Sequence, residues 1–187
     1  MDWKEYTLAA FADALGNPGH APAGGSAAAV TAALAAALCA MTAGLGVKAG
    51  HMAMQPLEDE AKALQDALLD LAQQGTDAYG AYVLTKREKD ITTAAVDAAL
   101  IRATEVPLLV VQHAVRIITI LRQAMTHCPP AARPDGLAGI GLAEAASKAS
   151  LLNARANAAR LVGDGERKRM LGQIAELEQR IEEKGNS

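Results

Sequence analysis

PAGGSAAAVTAALAAALCAMTAGLGVK, residues Pro22 to Lys48, holds no charged side chain before Lys48. Val30, Leu34, Leu38, Met41 and Leu45 recur within it at spacings of 4, 4, 3 and 4, the period of a helix face and not of a strand. The stretch therefore predicts one long central helix entered through a glycine turn. Gly24 and Gly25 are poor helix formers, each costing about 1 kcal/mol relative to Ala inside a helix. They suit a backbone at positive φ or one in close contact with a ligand, followed by Ser26 as N-cap. Such an end exposes amide donors at a positive helix pole that can receive an anion, although the same entry also serves as a purely structural turn. The helix body reads as a buried element whose small side chains let its neighbours approach closely. A membrane span is discounted, because alanine contributes little transfer energy and the few large apolar residues keep to one side.

Composition agrees with helices. Of the 187 residues, 51% are hydrophobic but only 3% aromatic, so the core must be built from Ala, Leu, Val and Met. Helices pack such residues more readily than strands, whose faces favour branched and aromatic side chains. The expected architecture is all-α, a single-domain antiparallel helical bundle over residues 1–187 around the long alanine-rich helix. A formal net charge of −3 gives no electrostatic reason to expect nucleic acid as a partner. Cys39 and Cys128 do not make a disulfide scaffold, and the start MDWKEYTLAAF is too polar for a secretory signal, so a reducing cytoplasm is expected.

Outward from the central stretch, Leu8, Phe11 and Leu15 predict a short amphipathic helix over residues 3 to 15, stopped by GNPGHAPAG at 16–24. His20 lies beside that loop, where solvent is its expected neighbour. A further helix starts near Gln55-Pro56-Leu57, with Leu57, Ala61, Leu64, Leu68 and Leu71 as its packing stripe. After the charged turn KREKD at 86–90, Thr92 or Thr93 opens a helix through Ala103. Glu105-Val106-Pro107 interrupts or kinks it, and 108–125 resume. LAGIGLAEAASKASLLNARANAARLVGD is again rich in small residues and helical, and Met170, Ile174, Leu177 and Ile181 stripe a final charged helix that either closes the bundle or binds another copy.

Several polar residues stand out against this background. Asp77 is flanked by Gly75, Thr76, Ala78 and Gly80, a narrow surround in which a carboxylate could be buried beside a ligand, with burial raising its pKa toward the range useful for proton transfer; an exposed or structural aspartate fits the same residues. Lys48 is either a solvated lysine at a helix end or a partner for an acidic group. Asp135 can cap the helix that follows the loop THCPPAARPDG or orient a cationic ligand. Asn153 and Asn157, four residues apart, project together, either to satisfy neighbouring helices or to read the donor and acceptor edge of a heteroaromatic ring. His127 and Cys128 lack the further ligands of a zinc site, so no metal is expected. Gly44-Leu45-Gly46-Val47-Lys48 has neither the glycine spacing nor the terminal hydroxyl of a P-loop, and no dinucleotide fingerprint or nucleophile elbow is present.

Taken together, these segments resemble one family. Pro22-Ala23-Gly24-Gly25-Ser26-Ala27-Ala28-Ala29 is similar to the PGGGSAAA segment of the cyclodeaminase/cyclohydrolase family, which includes the cyclodeaminase domain of formiminotransferase-cyclodeaminase and bacterial methenyltetrahydrofolate cyclohydrolases. Leu45-Gly46-Val47-Lys48, Thr76-Asp77-Ala78-Tyr79, Glu105-Val106-Pro107-Leu108, Asp135, the Asn153/Asn157 pair and Asp164 resemble its later segments in the same order. Ala23 departs from the triple glycine, and Arg133-Pro134 from the serine before the later aspartate. The resemblance implies an all-helical subunit that forms a homodimer and binds a tetrahydrofolate derivative near a subunit interface, with no separate cofactor. It implies Gly24, Gly25, Ser26, Lys48, Asn153 and Asn157 as binding residues, Asp77 as general acid/base and Asp135 as a secondary electrostatic group. It further implies either hydrolysis of 5,10-methenyltetrahydrofolate to 10-formyltetrahydrofolate or ammonia-releasing cyclodeamination of 5-formiminotetrahydrofolate. A free-standing chain shifts the expectation towards the hydrolase, and binding of a folate without turnover is a third alternative.

Overall fold

A computed structural model describes residues 3–18 and 21–185, with side chains through Glu183; His20 lies outside the described residues. Among the described residues six α-helices follow in order: α1 Leu8–Gly16, α2 Gly24–Lys48, α3 Gln55–Thr85, α4 Thr93–Met125, α5 Arg133–Ala158 and α6 Asp164–Gly185. No strand occurs among the described residues, as the composition requires. Short 3-10 turns at Trp3–Glu5, Met52–Met54 and Pro130–Ala132 lead into α1, α3 and α5. The predicted helix over 3–15 is thus shorter, because Thr7 caps α1 by accepting the Ala10 amide at 3.1 Å.

α2 to α5 form an antiparallel bundle, and α2 touches the other three. Its contact face is alanine: Ala29, Ala32, Ala35, Ala36 and Ala43 are all fully buried, together with Cys39, whose Sγ lies 4.0 Å from the Ile117 carbonyl of α4. Burial pushes the Cys39 thiol up to about 12, so it acts as a small apolar side chain. α5 approaches equally closely. A Cβ on Gly139 would stand 3.0 Å from a Leu121 methyl and 3.3 Å from Leu38 Cβ, so a larger residue there would require its neighbours to give way.

The stripe of larger residues on α2 points elsewhere. Leu34 is 50% exposed and Met41 40%, while Val30, Leu38 and Leu45 are half-buried. The large side chains do keep to one side; its centre, Leu34 and Met41, is turned away from the chain's own core, while Val30 at its edge still packs against that core. By length and mean hydropathy (1.9) α2 is apolar enough to cross a membrane, yet half of that window is buried inside the chain.

Pro107 does not divide α4, which runs unbroken through it. The missing proline N–H leaves the Ala103 carbonyl without its i+4 donor, and Asn157 Nδ2 of α5 donates to that oxygen at 3.1 Å instead. Residues 158–163 then turn into α6 under Asp97, a buried aspartate whose carboxylate accepts the Val162 amide at 3.0 Å and the Gly163 amide at 2.7 Å. α6 lays Met170, Ile174, Leu177 and Ile181 onto a second core with Leu100, Leu108, Val111 and Leu151. Its stripe closes the chain's own bundle, one of the two roles the spacing allowed.

Candidate functional site

A cavity of about 800 Å³ opens where the N-terminal end of α2, the second half of α3, the middle of α4 and the last turns of α5 converge. Gly25, Ser26, Asp77, Asn153 and Asn157 all line it, so five of the eight residues singled out in the sequence share one site. Gly24 is its neighbour, since a Cβ there would lie 3.7 Å from Asn153 Nδ2.

The entry into α2 differs from expectation. The N-cap is Ala23, without a side-chain bond, and Gly24 and Gly25 are helical residues of the first turn. Among the described glycines only Gly50 has a positive φ, so neither forms a left-handed turn. Gly24 lies against the Asn153 amide, and a Cβ on Gly25 would meet nothing within 4 Å. Ser26 does not cap the helix: its hydroxyl donates to the Ala72 carbonyl of α3 at 3.0 Å and lies 3.0 Å from Thr76 Oγ1, which accepts Trp3 Nε1–H at 3.2 Å. These bonds tie α2 to α3 beneath the cavity. The first helical bond of α2 comes from the Ala27 amide to Ala23, which leaves the preceding amides as donors without an intrahelical acceptor.

Asp77 is exposed at the cavity wall, the second of its two sequence readings, and its carboxylate accepts Gln73 Nε2–H at 2.9 Å. Gln73 Oε1 is buried and unpartnered among the described residues. The two asparagines do not bond to each other. Asn153 Nδ2 donates to Ala149 at 2.9 Å, which keeps its amide against Gly24, while Asn157 is committed to Ala103. Asn157 is therefore a positioning residue that fixes α5 on α4, and Asn153 is the member of the pair available for polar recognition.

Lys48 and Asp135 do not reach this cavity within one chain. Lys48 ends α2, about 36 Å from Gly24 at the helical rise of 1.5 Å per residue. Asp135 lies in the first turn of α5, whose N-cap is Ala132, so it does not cap the helix; it is exposed, some 27 Å along α5 from Asn153. Both belong to the opposite end of the bundle, where the His51 and His127 rings lie 4.9 Å apart. No group of three or more His, Cys, Asp or Glu that could hold a metal occurs among the described residues.

The cavity also contains residues the sequence reading passed over. Tyr79, Arg87 and Arg160 line it, and Arg160 Nη1 donates to Tyr79 Oη at 3.1 Å. Their spacing was a readable signal: Thr76, Gly80, Val83 and Arg87 follow one helical face at 4, 3 and 4, and Arg160 lies three residues beyond Asn157 on the asparagine face.

Comparison with known proteins agrees with this fold. A crystal structure of a formiminotetrahydrofolate cyclodeaminase from Thermotoga maritima superposes with a TM-score of 0.89 at 22% identity, covering 97% of this chain and 92% of that one. Among curated proteins none matches. The formiminotransferase-cyclodeaminase family model matches residues 7–176, which includes every helix that builds the cavity. With that match spanning nearly the whole bundle, the chain belongs to the formiminotransferase-cyclodeaminase family.

Proposed function

We propose that this chain acts on a reduced folate, converting 5-formiminotetrahydrofolate into 5,10-methenyltetrahydrofolate with release of ammonia. The observation that carries the reading is the cavity that gathers Gly25, Asp77 and Asn153 in a chain of this family. Support for the choice of reaction comes from the similar structure, described as a formiminotetrahydrofolate cyclodeaminase. In this reaction N10 of the folate attacks the formimino carbon and loses its proton. The bond from that carbon to the exocyclic nitrogen then breaks as that nitrogen is protonated. Asp77, held by Gln73, is the group that takes the first proton and returns one to the departing ammonia. Asn153 and the free amides of α2 position the ring, and the reaction needs no separate cofactor or metal.

Hydrolysis of 5,10-methenyltetrahydrofolate, the reading favoured from the sequence, uses the same groups. Water adds to the methenyl carbon and gives up both its protons, one to N5 as the carbon–N5 bond breaks and one to solvent, so that 10-formyltetrahydrofolate results; the exposure of Asp77 favours this reading by giving water a path to the site. A reducing, cytoplasmic setting suits the two free thiols.

The functional unit in this reading is a homodimer. The exposed stripe of α2 reflects onto itself about the midpoint between Ala37 and Leu38: Leu34 pairs with Met41, Val30 with Leu45, and Ala27 with Lys48. Such self-complementarity is what a two-fold antiparallel contact requires. That pairing would bring each copy's Lys48 end to the other's glycine end, reuniting the binding residues that one chain keeps apart.

A matched assay of the wild type and Asp77→Asn with both substrates tests the reaction. Ammonia release with ring closure, lost in Asp77→Asn, is the expected result. Hydrolysis without ammonia selects the cyclohydrolase, saturable binding without turnover a folate-binding protein, and no interaction with either compound overturns the folate reading.

A further inference from the structure

The cavity is electrically polarised along its length. Its polar hydrogen-bonding groups, Ser26, Thr76, Asp77 and Asn153, cluster where α2 begins. Towards the C-terminal end of α3 the wall becomes apolar, with Val83 and Leu84, and two cations also line the cavity, Arg87 just past that helix and Arg160 beside Tyr79. From Thr76 to Thr85, where α3 ends, is about 14 Å at 1.5 Å per residue, and Arg87 follows two residues later, so Thr76 and Arg87 face different parts of an elongated ligand. Asp77 is the one carboxylate on the cavity wall, and neither arginine is paired with a carboxylate among the described residues.

Arg160 is also held in place. Its guanidinium donates to Tyr79 Oη at 3.1 Å, and its backbone lies in the corner that Asp97 fixes through the Val162 and Gly163 amides. An arginine oriented in advance loses less side-chain freedom on gripping an anion than a free one, and its planar fork suits a carboxylate.

Resting on the folate reading, we propose that Arg87 and Arg160 bind the carboxylates of the substrate's glutamyl tail. The ring then lies at the Ser26–Asn153 end and the aromatic linker crosses the Val83–Leu84 wall. Tail recognition accordingly belongs to the α3–α5 end of the cavity and not to Lys48.

Calorimetric titration with 5-formyltetrahydrofolate and with its tail diamide, a neutral analogue of the same shape, tests this. The wild type is expected to bind the dicarboxylate at least about 10-fold more tightly than the diamide. Arg87→Gln and Arg160→Gln are each expected to weaken the dicarboxylate about 5- to 20-fold while leaving the diamide unchanged, with part of the loss recovered in Arg87→Lys and Arg160→Lys. Equal wild-type affinity for the two compounds overturns the tail site and leaves the folate reading standing. So does a loss in the Gln variants that falls equally on both compounds, since that is the signature of a structural role. Failure of the folded wild type, checked by circular dichroism, to bind either compound overturns both readings together.

Discussion

α2 and α6 carry similar stripes, yet the fold turns one outward and the other inward. Met170, Ile174 and Leu177 of α6 are buried, whereas Leu34 and Met41 of α2 are exposed. The difference lies in the opposite face of each helix. The remainder of α6 is mostly Glu, Arg, Lys and Gln, with Leu171 its one large apolar exception, so burying the stripe removes most of its apolar surface from water. α2 has two apolar faces, and the position between three helices accepts only the smaller one. A stripe of large residues therefore locates a core only when the other face is polar.

The sharpest way to break this contrast is to charge the outward stripe. In the homodimer reading, Leu34→Glu combined with Met41→Glu converts the dimer to a monomer, because four like charges would meet in a desolvated contact. Native mass in dilute buffer checks this, and an unchanged mass would remove α2 from the interface. Thermal stability of the isolated fold should move by no more than about 0.5 kcal/mol, as for surface sites.

The same experiment on α6 should give the reverse. Ile174 is fully buried, so Ile174→Ala is expected to cost about 2–5 kcal/mol in chemical denaturation without changing the oligomeric state. A cost near zero would mean that the second core is not closed by α6.

How much of this was readable from the residues follows from the same contrast. Periodicity located the helices because each depends on a face that local sequence records; that α4 is not interrupted at Pro107 was not legible, because the lost bond is compensated by Asn157, fifty residues away. Gly24, Gly25 and Asp77 were visible as anomalies within a short window. Arg87 and Arg160 shared a helical face with Thr76 and Asn157, but a lone arginine in a polar stretch resembles any solvated one, and only the packed helices bring the two to a shared cavity. The N-capping role of Ser26 failed for a related reason: the hydroxyl had a tertiary acceptor, Ala72, that no local pattern encodes.

The Pro107–Asn157 link offers an intermediate effect. Asn157→Ala leaves the buried Ala103 carbonyl without a donor and is expected to cost about 1–3 kcal/mol. Pro107→Ala supplies the missing backbone N–H, so in that background Asn157→Ala should cost less. The coupling in a double-mutant cycle reads the compensation directly. Additive costs would show that Asn157 holds α5 by packing alone.

The smallest effect belongs to a pair outside both stripes. Arg116 of α4 donates twice to Glu60 of α3, with Nε and Nη2 each 2.6 Å from a carboxylate oxygen. The hydrogen bonds from Arg116 hold the Glu60 carboxyl below its ordinary value of 4.5. A carboxylate whose folded pKa is depressed contributes stability that is fully present above its unfolded value and is lost as pH falls through the folded one. The pair therefore adds to stability at neutral pH, and its contribution should fade on acidification below about 4.5. Both side chains are substantially exposed, so solvent screening limits the contribution to about 0–1 kcal/mol. Glu60→Gln should lower the denaturation midpoint slightly at neutral pH and leave it nearly unchanged in acid, and the gap should narrow at high salt. A gap that widened in acid would mean that Glu60 is less readily ionised in the folded chain than in the unfolded one, contrary to the geometry of its two bonds to Arg116.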